Sequence, residues 1–81
     1  MAYRYNCEVT AITRTISGVQ HRLVRRLDGK GFYLDPLFLY ALERFEQPDL
    51  DADLTSRFAL PLGAASRVRS TLLSGRFLVN A

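Results

Sequence analysis

The segment GFYLDP, residues 31–36, constrains the fold most strongly, because it joins a short strand to a helix without a loop between them. Phe32 and Leu34 are two residues apart, which places both side chains on one face of a strand. Asp35 is typical of a helix N-cap, where its carboxylate accepts hydrogen bonds from the first free N–H groups. Pro36 suits the first helical position, because the N–H group that proline lacks would have no partner there. The segment therefore predicts a strand that leads directly into a capped helix.

The sequence before this junction begins with a predicted strand. Residues 3–11 alternate between polar and apolar side chains, which is typical of a half-buried strand. The alternation changes phase near Ile12, so we expect a β-bulge or a strand end near Ala11. Ser17-Gly18 is a turn sequence and separates this strand from the next segment.

The segment Val19–Leu27 has two interpretations, since its apolar residues fit either a strand or a helix. We favour the strand, because Asp28-Gly29 follows directly and is a strong hairpin turn whose residues tolerate positive φ. Residues 32–34 would then form the returning strand of that hairpin. If residues 19–27 were helical, the predicted sheet and the functional interpretation would both fail.

Helices are predicted after the strands. The first ends before Pro48, which cannot occupy a helix interior. The second begins at Asp49, Asp51 and Asp53, since the helix dipole favours negative charge at an N-terminus. The third starts near Ala64. Their apolar stripes at helical spacing are Phe38, Ala41, Leu42 and Phe45; Leu50, Leu54 and Phe58; and Ala65, Val68 and Leu72.

The end of the chain is expected to be ordered. Gly75 is the expected left-handed C-cap of the third helix. Residues 76–79 would close the chain as a short strand or as a packed tail. The sequence therefore predicts one α+β domain over residues 1–81, with a three-stranded antiparallel sheet followed by three helices and without an internal repeat or linker.

The composition is that of a small globular protein. The chain has 81 residues, of which 48% are hydrophobic, so it can form one domain with a modest core. No apolar run is long enough to cross a bilayer and the N-terminus lacks a signal-peptide core, so we expect a cytoplasmic protein outside the membrane. The formal net charge is +3, nearly all of it from arginine, with Lys30 the only lysine. This charge indicates either an anionic partner or a solvated surface that is biased towards arginine.

The sequence lacks the residue sets that catalytic and metal sites need. His21 is the only histidine and Cys7 the only cysteine, and a turn separates them, so they do not form a nucleophile–base pair. Cys7 is expected to act as a small buried hydrophobic residue. Gly29-Lys30-Gly31 precedes a strand and lacks the spacing of a phosphate-binding loop. We therefore expect a binding protein rather than an enzyme, with no metal and no cofactor.

Three strands followed by three helices, the last two close together, form a winged-helix arrangement. Over residues 21–79 the sequence resembles the PqqD-like family, also called RiPP recognition elements. Domains of that family have a short strand ending in Leu-Asn or Leu-Asp and a helix with a late hydrophobic pair. A short leucine-rich helix follows, and then a third helix that ends in glycine and two hydrophobic residues. The corresponding positions here are Leu34-Asp35; Leu42 and Phe45; Leu54 and Phe58; and Val68, Leu72 and Phe77-Leu78.

The resemblance implies a function in peptide recognition. In that family, the leader segment of a ribosomally made precursor peptide adds as a strand beside the third strand and lies in a groove against the third helix. The domain then presents the precursor to a modifying enzyme, so both would be partners of this chain. Strand addition uses the unpaired backbone groups of an edge strand, while side-chain pockets select the peptide sequence. The implied peptide-binding residues are Lys30, Phe32, Tyr33, Leu34, Ser66, Arg69, Leu73 and Arg76.

Three of these residues have a second interpretation. Leu73 is apolar but lies off the centre of the predicted buried stripe, so it either contacts the peptide or widens the core. Arg69 and Arg76 either bind acidic leader residues through charge-assisted hydrogen bonds or lie on the solvated surface of the helix.

DNA binding by a winged-helix regulator is the alternative function. The segment SRVRST, residues 66–71, would be its recognition helix. A net charge of +3 is small for a DNA-binding domain, and the aspartates of the second helix would oppose phosphate. A third interpretation, a small regulatory protein that inhibits another complex, is neither favoured nor excluded. The residues that would contact DNA are Arg67, Arg69, Ser70 and Thr71, with Arg22, Arg25 and Arg26 on its backbone.

Overall fold

The computed structural model describes residues 2–81 and has an α+β fold. Cys7–Ile16, Val19–Arg26 and Gly31–Leu34 form a three-stranded antiparallel sheet in that order, and Tyr3–Tyr5 pairs with Leu78–Asn80 in a separate two-stranded antiparallel sheet. The predicted three-stranded sheet and the three helices are confirmed. The elements are β1 Tyr3–Tyr5, β2 Cys7–Ile16, β3 Val19–Arg26, β4 Gly31–Leu34, α1 Pro36–Glu43, α2 Leu50–Phe58, α3 Ala64–Ser74 and β5 Leu78–Asn80.

The first predicted strand is divided at Asn6, so the prediction of one strand over residues 3–11 is wrong. The N–H of Asn6 donates to the carbonyl of Phe77 at 2.9 Å, and its own carbonyl accepts from the N–H of Leu27 at 3.0 Å. Asn6 therefore joins the two sheets. The sequence does not reveal this division, because polar and apolar side chains continue to alternate across Asn6. The predicted bulge is confirmed, because the β2–β3 register shifts between Val9 and Thr13.

The two hairpin turns differ from each other. Ser17 and Gly18 both have positive φ, 53° and 77°, as a two-residue type I′ turn requires. The strand interpretation of the following segment is confirmed over Val19–Arg26. At the second turn only Gly29 has positive φ, and the N–H of Arg26 donates to the carbonyl of Lys30. This turn is therefore a three-residue loop with a glycine bulge, one residue longer than the predicted Asp28-Gly29 turn.

The junction between β4 and α1 is as predicted. The carboxylate of Asp35 accepts a hydrogen bond from the N–H of Phe38 at 3.0 Å, and Pro36 occupies the first helical position. Helix α1 ends at Glu43, before Pro48, and Phe45 is buried in the turn that follows. The strand therefore passes into a capped helix through the single residue Asp35.

The end of α3 corrects one prediction. Gly75 has φ −76°, so the prediction that it is left-handed is wrong; the left-handed residue is Arg76 at φ 62°. The N–H of Phe77 donates to the carbonyl of Leu72, and that of Arg76 to the carbonyl of Leu73, as in a Schellman motif. Glycine is needed at position 75 for a different reason, because a Cβ there would approach the Phe77 ring at 2.8 Å.

The core lies between the helices and one face of the three-stranded sheet. Val24 is completely buried on that face, below α1. By contrast, every residue from 11 to 20 is exposed, so the far half of the β2–β3 hairpin projects beyond the core. None of the helices in residues 2–81 has the length and apolar character needed to cross a membrane. The buried residues are Val24, Ala41, Leu42, Phe45, Leu50, Leu54, Ala65, Val68, Leu72, Phe77 and Leu78.

Candidate functional site

Strand β4 is an edge of the three-stranded sheet, and half of its backbone groups point away from β3. Arg26 and Lys30 form a hydrogen-bonded pair at the start of the ladder. Along antiparallel strands, such pairs alternate with pairs of residues that are not hydrogen-bonded to each other. Phe32 therefore directs its N–H and C=O towards β3. Gly31 and Tyr33 direct theirs outwards, where they have no hydrogen-bond partner among residues 2–81. This edge is regular and available for pairing.

The opposite edge of the sheet, β2, is not regular. Between Val9 and Thr13 the bulge interrupts the ladder. At the bulge, the N–H of Ile12 donates to the hydroxyl oxygen of Thr10 at 3.2 Å, and that hydroxyl donates to the carbonyl of Leu23 at 2.8 Å. Bulges of this kind reduce the ability of an edge to pair with another strand. The two edges of this sheet are therefore unequal, and β4 is the one suited to accept a strand.

The helix side of β4 has an aromatic wall. The ring of Phe32 is 37% exposed and meets the buried ring of Phe77 edge to face, with centroids 5.4 Å apart. The guanidinium of Arg26 lies 5.0 Å from the Phe32 centroid and donates to the carbonyl of Gly75 at 2.7 Å. Arg26 also forms an ion pair with Asp28 at 2.7 Å, and its hydrogen bonds lower the pKa of that carboxyl. These contacts attach the β3–β4 turn to the end of α3.

The other side of β4 carries Tyr33 and Gly31. The guanidinium of Arg14 lies 5.6 Å from the centroid of the Tyr33 ring. The side chain of Leu23 covers Gly31 closely, because a Cβ on this glycine would lie 3.0 Å from the Leu23 Cδ1 atom. A strand added to β4 would therefore contact Phe32 on one side and the Tyr33–Arg14 pair on the other.

The predicted strand residues and the predicted helix residues lie in separate places. Lys30 is exposed beside the turn, and Leu34 is partly buried against the core, so both adjoin the β4 edge. On α3, Leu73 lines a concavity of about 450 Å³ together with Tyr3 and Val79, against the β1–β5 pair. The Leu73 side of α3 therefore faces the smaller sheet.

Ser66 and Arg69 make their contacts away from β4, whereas Arg76 lies between Gly75 and Phe77, which contact Arg26 and Phe32 beside β4. Arg69 lies 5.4 Å from the centroid of Phe45 and pairs with Asp51 at 3.5 Å, while its buried Nε–H has no acceptor among residues 2–81. Ser66 lines a groove of about 420 Å³ between α2 and α3. Arg76 is exposed at the left-handed position.

Sequence reasoning missed four residues that shape this edge: Arg14, Arg26, Gly31 and Phe77. Arg26 contacts Gly75, 49 residues later in the chain, so no local pattern indicates its position. Gly31 carried a signal, because a glycine within a strand often marks a close approach of another group.

Cys7 is a free cysteine and is half-buried rather than fully buried as predicted. Burial raises the pKa of the Cys7 thiol, which favours its unreactive protonated form. No group of three or more His, Cys, Asp or Glu residues within the described range 2–81 is placed to hold a metal ion. The arrangement is suited to pairing with an extended chain. Comparisons with protein-family models, with curated proteins and with solved structures found no match for this chain.

Proposed function

We propose that this protein binds an extended peptide as an additional strand on the edge of β4 and acts without a catalytic step. In this proposal, the peptide is the leader segment of a ribosomally made precursor, which the domain presents to a modifying enzyme. The observation that carries the proposal is the regular β4 edge, where Gly31 and Tyr33 point their backbone groups outwards. The resemblance of residues 21–79 to RiPP recognition elements supports the assignment of this peptide to the class of leader segments.

The size of β4 sets what the peptide must contribute. The outward groups of Gly31 and Tyr33 provide about four hydrogen bonds, each worth roughly 0.5–1.5 kcal/mol net. Micromolar affinity requires about 8 kcal/mol. Backbone pairing alone therefore falls short, and burial of an apolar peptide side chain against Phe32 would have to supply the rest. We expect the bound segment to alternate, with apolar residues on the Phe32 side.

A pair of variants at position 33 tests the proposal. Tyr33→Pro and Tyr33→Ala both remove the aromatic ring, but only proline removes the outward N–H and blocks strand pairing. We expect the proline variant to bind at least tenfold more weakly than the alanine variant. The measurement is fluorescence anisotropy with a labelled leader peptide encoded beside the gene, with circular dichroism to confirm that both variants fold. Equal binding by the two variants would contradict strand addition on β4.

Winged-helix DNA binding remains the alternative, because Arg67, Ser70 and Thr71 are exposed on α3 and the β2–β3 hairpin projects as a wing would. Both the leader-binding and the DNA-binding proposal assign a winged-helix fold to the chain. The ion pair between Arg69 and Asp51 argues against DNA binding, because it engages one of the arginines that would contact the DNA. The same anisotropy series with duplex DNA across a salt gradient separates the two functions. Phosphate binding weakens steeply with salt, whereas strand addition is expected to weaken less.

A further inference from the structure

The three-stranded sheet has one face without helices, and several of the sheet's exposed apolar residues lie on that face. Side chains alternate between the faces of a strand, so residues beside the buried Val24 point away from the core. Leu23 covers Gly31 on this side, and Tyr33 lies opposite Leu23 in the β3–β4 register. We call this surface the outer face and define it by Ile12, Ile16, Val19, Leu23, Leu27 and Tyr33.

The outer face exposes more apolar side chains than is usual for a sheet face that no helix covers. Ile12, Val19 and Leu27 are 49%, 44% and 68% exposed, and Ile16 is 39% exposed. On the projecting half of the hairpin, the opposite face carries Thr13, Thr15, Gln20 and Arg22, all of them polar. Antiparallel sheets with one open face normally place polar residues on it. Apolar residues grouped on an open face, here interleaved along β3 with His21 and Arg25, mark an interaction site.

We infer that the outer face binds the outer face of a second copy of this chain. The twofold axis passes beside Leu23, parallel to the sheet and at right angles to its strands. Val19 at the start of β3 and Leu27, the first residue of the turn after it, each lie four residues from Leu23, so Leu27 of one copy falls opposite Val19 of the other. Leu23 falls opposite its own counterpart. The surface is thus self-complementary, as a symmetric twofold interface requires.

The charges on β2 follow the same symmetry. Glu8 pairs with Arg25 and Arg14 pairs with His21 in the β2–β3 register, so both charged residues lie on the outer face. Their register partners Arg25 and His21 each lie two residues from Leu23, so Glu8 and Arg14 are equally far from the axis, and Arg25 of one copy falls opposite His21 of the other. The twofold axis therefore brings Glu8 of each copy opposite Arg14 of the other, and the ion pair forms twice. Two sheets packed in this way lie about 10 Å apart with their strands nearly aligned.

The interface is small, so the dimer is expected to be weak. Strand β3 has eight residues, and at about 3.4 Å per residue it is about 27 Å long. Strands β2 and β3 over this length and the four-residue β4, about 4.8 Å apart, give a footprint of roughly 300 Å² per copy, less than half of what stable complexes bury. We expect a dissociation constant between about 10 µM and 1 mM, because an interface this small stabilises a dimer only weakly.

Sedimentation equilibrium of the full chain from about 1 µM to 1 mM tests this inference. We expect a reversible monomer–dimer equilibrium. Val19→Glu places a charge on the outer face and should weaken the dimer at least tenfold. Thr15→Glu is its matched control, because Thr15 is exposed on the opposite face of the same hairpin. Thermal melting would verify that both variants fold.

A charge exchange tests the twofold arrangement. Glu8→Arg and Arg14→Glu should each weaken the dimer, and the double variant should recover most of the affinity, because the ion pair is restored with its signs exchanged. A double variant no tighter than the single ones would overturn the arrangement. A wild-type chain that is monomeric at 1 mM, or that responds equally to Thr15→Glu and Val19→Glu, would overturn the inference.

The dimer and the peptide site have separate readouts. Tyr33→Pro blocks pairing along β4 but leaves the apolar outer face of β2 and β3 in place. A dimer that is lost in Tyr33→Pro and retained in Val19→Glu would mean that copies pair through the β4 edge, and the inference would be wrong. Leader binding by Val19→Glu at wild-type strength is expected, so either proposal can fail without the other.

Discussion

At the scale of single residues, Tyr40 connects α1 to α2 through several contacts. Its hydroxyl donates to a carboxylate oxygen of Asp53, and its ring meets Phe58 edge to face at 5.6 Å. The guanidinium groups of Arg44 and Arg57 lie 3.9 and 4.7 Å from the ring centroid. The hydrogen bond from Tyr40 is the main cause of a lowered pKa at Asp53. Tyr40 therefore anchors the first turn of α2.

Tyr40→Phe keeps the ring and removes the donor, so we expect the pKa of Asp53 to rise towards its ordinary value of about 3.9. Because the folded pKa lies below the unfolded one, this carboxylate stabilises the fold above the unfolded pKa, and the stabilisation is lost as the pH falls through the folded pKa. The variant should be less stable than wild type at pH 7 and equal to it near pH 2, apart from the effects of the lost hydroxyl itself. Carboxyl NMR titration and urea denaturation measure the two effects.

The control for this prediction is Tyr33→Phe, which removes a hydroxyl that has no hydrogen-bond partner in the described part of the chain. It should leave the pKa of Asp53 and the acid side of the stability profile unchanged. An Asp53 pKa that does not move in Tyr40→Phe would show that other contacts, such as those from Gln47 or Arg57, hold it low.

At the scale of elements, the end of α3 has two neighbouring positions that both favour glycine, for different physical reasons. Arg76→Gly should raise the free energy of unfolding by about 0.5–1 kcal/mol, because a left-handed residue with a Cβ costs roughly 1–2 kcal/mol and glycine loses more entropy on folding. Gly75→Ala should lower it by about 1–3 kcal/mol, because its Cβ would press on the buried Phe77 ring. Thermal and urea unfolding measure both changes.

Arg76→Ala is the matched control for the cap, since it removes the long side chain and keeps the Cβ. It should not reproduce the gain of Arg76→Gly. A gain of equal size in both variants would mean that the arginine side chain, rather than the backbone conformation, is unfavourable at this position.

The elements that the sequence predicted well are those whose signals lie within one segment. Asp35 and Pro36 specify the start of α1 through local hydrogen bonding, and the phase change near Ile12 indicated the bulge. Alternation reports which residues share a face, but it does not name the partner strand. The pairing of β1 with β5 joins the two ends of the chain, which is why the division at Asn6 had no local signal.

The same limit applies to the candidate site. The strand residues around Tyr33 were found because the β4–α1 junction is local. On α3, helical periodicity gives the angle of Arg69 and Leu73 from the buried stripe, but it does not tell which sheet lies on that side. Their neighbours Tyr3 and Val79 come from β1 and β5, so the contacts of this helix flank depend on a pairing across the whole chain.

At the scale of the whole molecule, the domain is flat, with extents of 35 × 32 × 17 Å, and the β2–β3 hairpin reaches beyond the core. We expect amide exchange in the projecting residues 11–20 to occur through local opening, since their side chains are exposed. Amides near Leu42, Leu54 and Leu72, which are fully buried, should exchange only on global unfolding. Hydrogen exchange followed by NMR at low protein concentration measures the difference.

The outcome also depends on the protein concentration. If the outer faces associate, protection of the hairpin should rise as the concentration passes the dissociation constant of the dimer, while protection of the helix core should change less. Uniform protection of hairpin and core in the monomer would contradict the view that the hairpin is energetically independent of the core.

The bulge in β2 has a consequence for assembly. A sheet with two regular edges has a valence of two, because a copy that pairs through one edge still has its other edge free. Growth by pairing of copies can then continue into a fibre. The hydrogen bond from the Ile12 N–H to Thr10 and the shifted register leave this sheet with a valence of one. Copies of the domain that pair edge to edge through β4 therefore form a closed pair, and their bulged β2 edges do not extend that pair into a polymer.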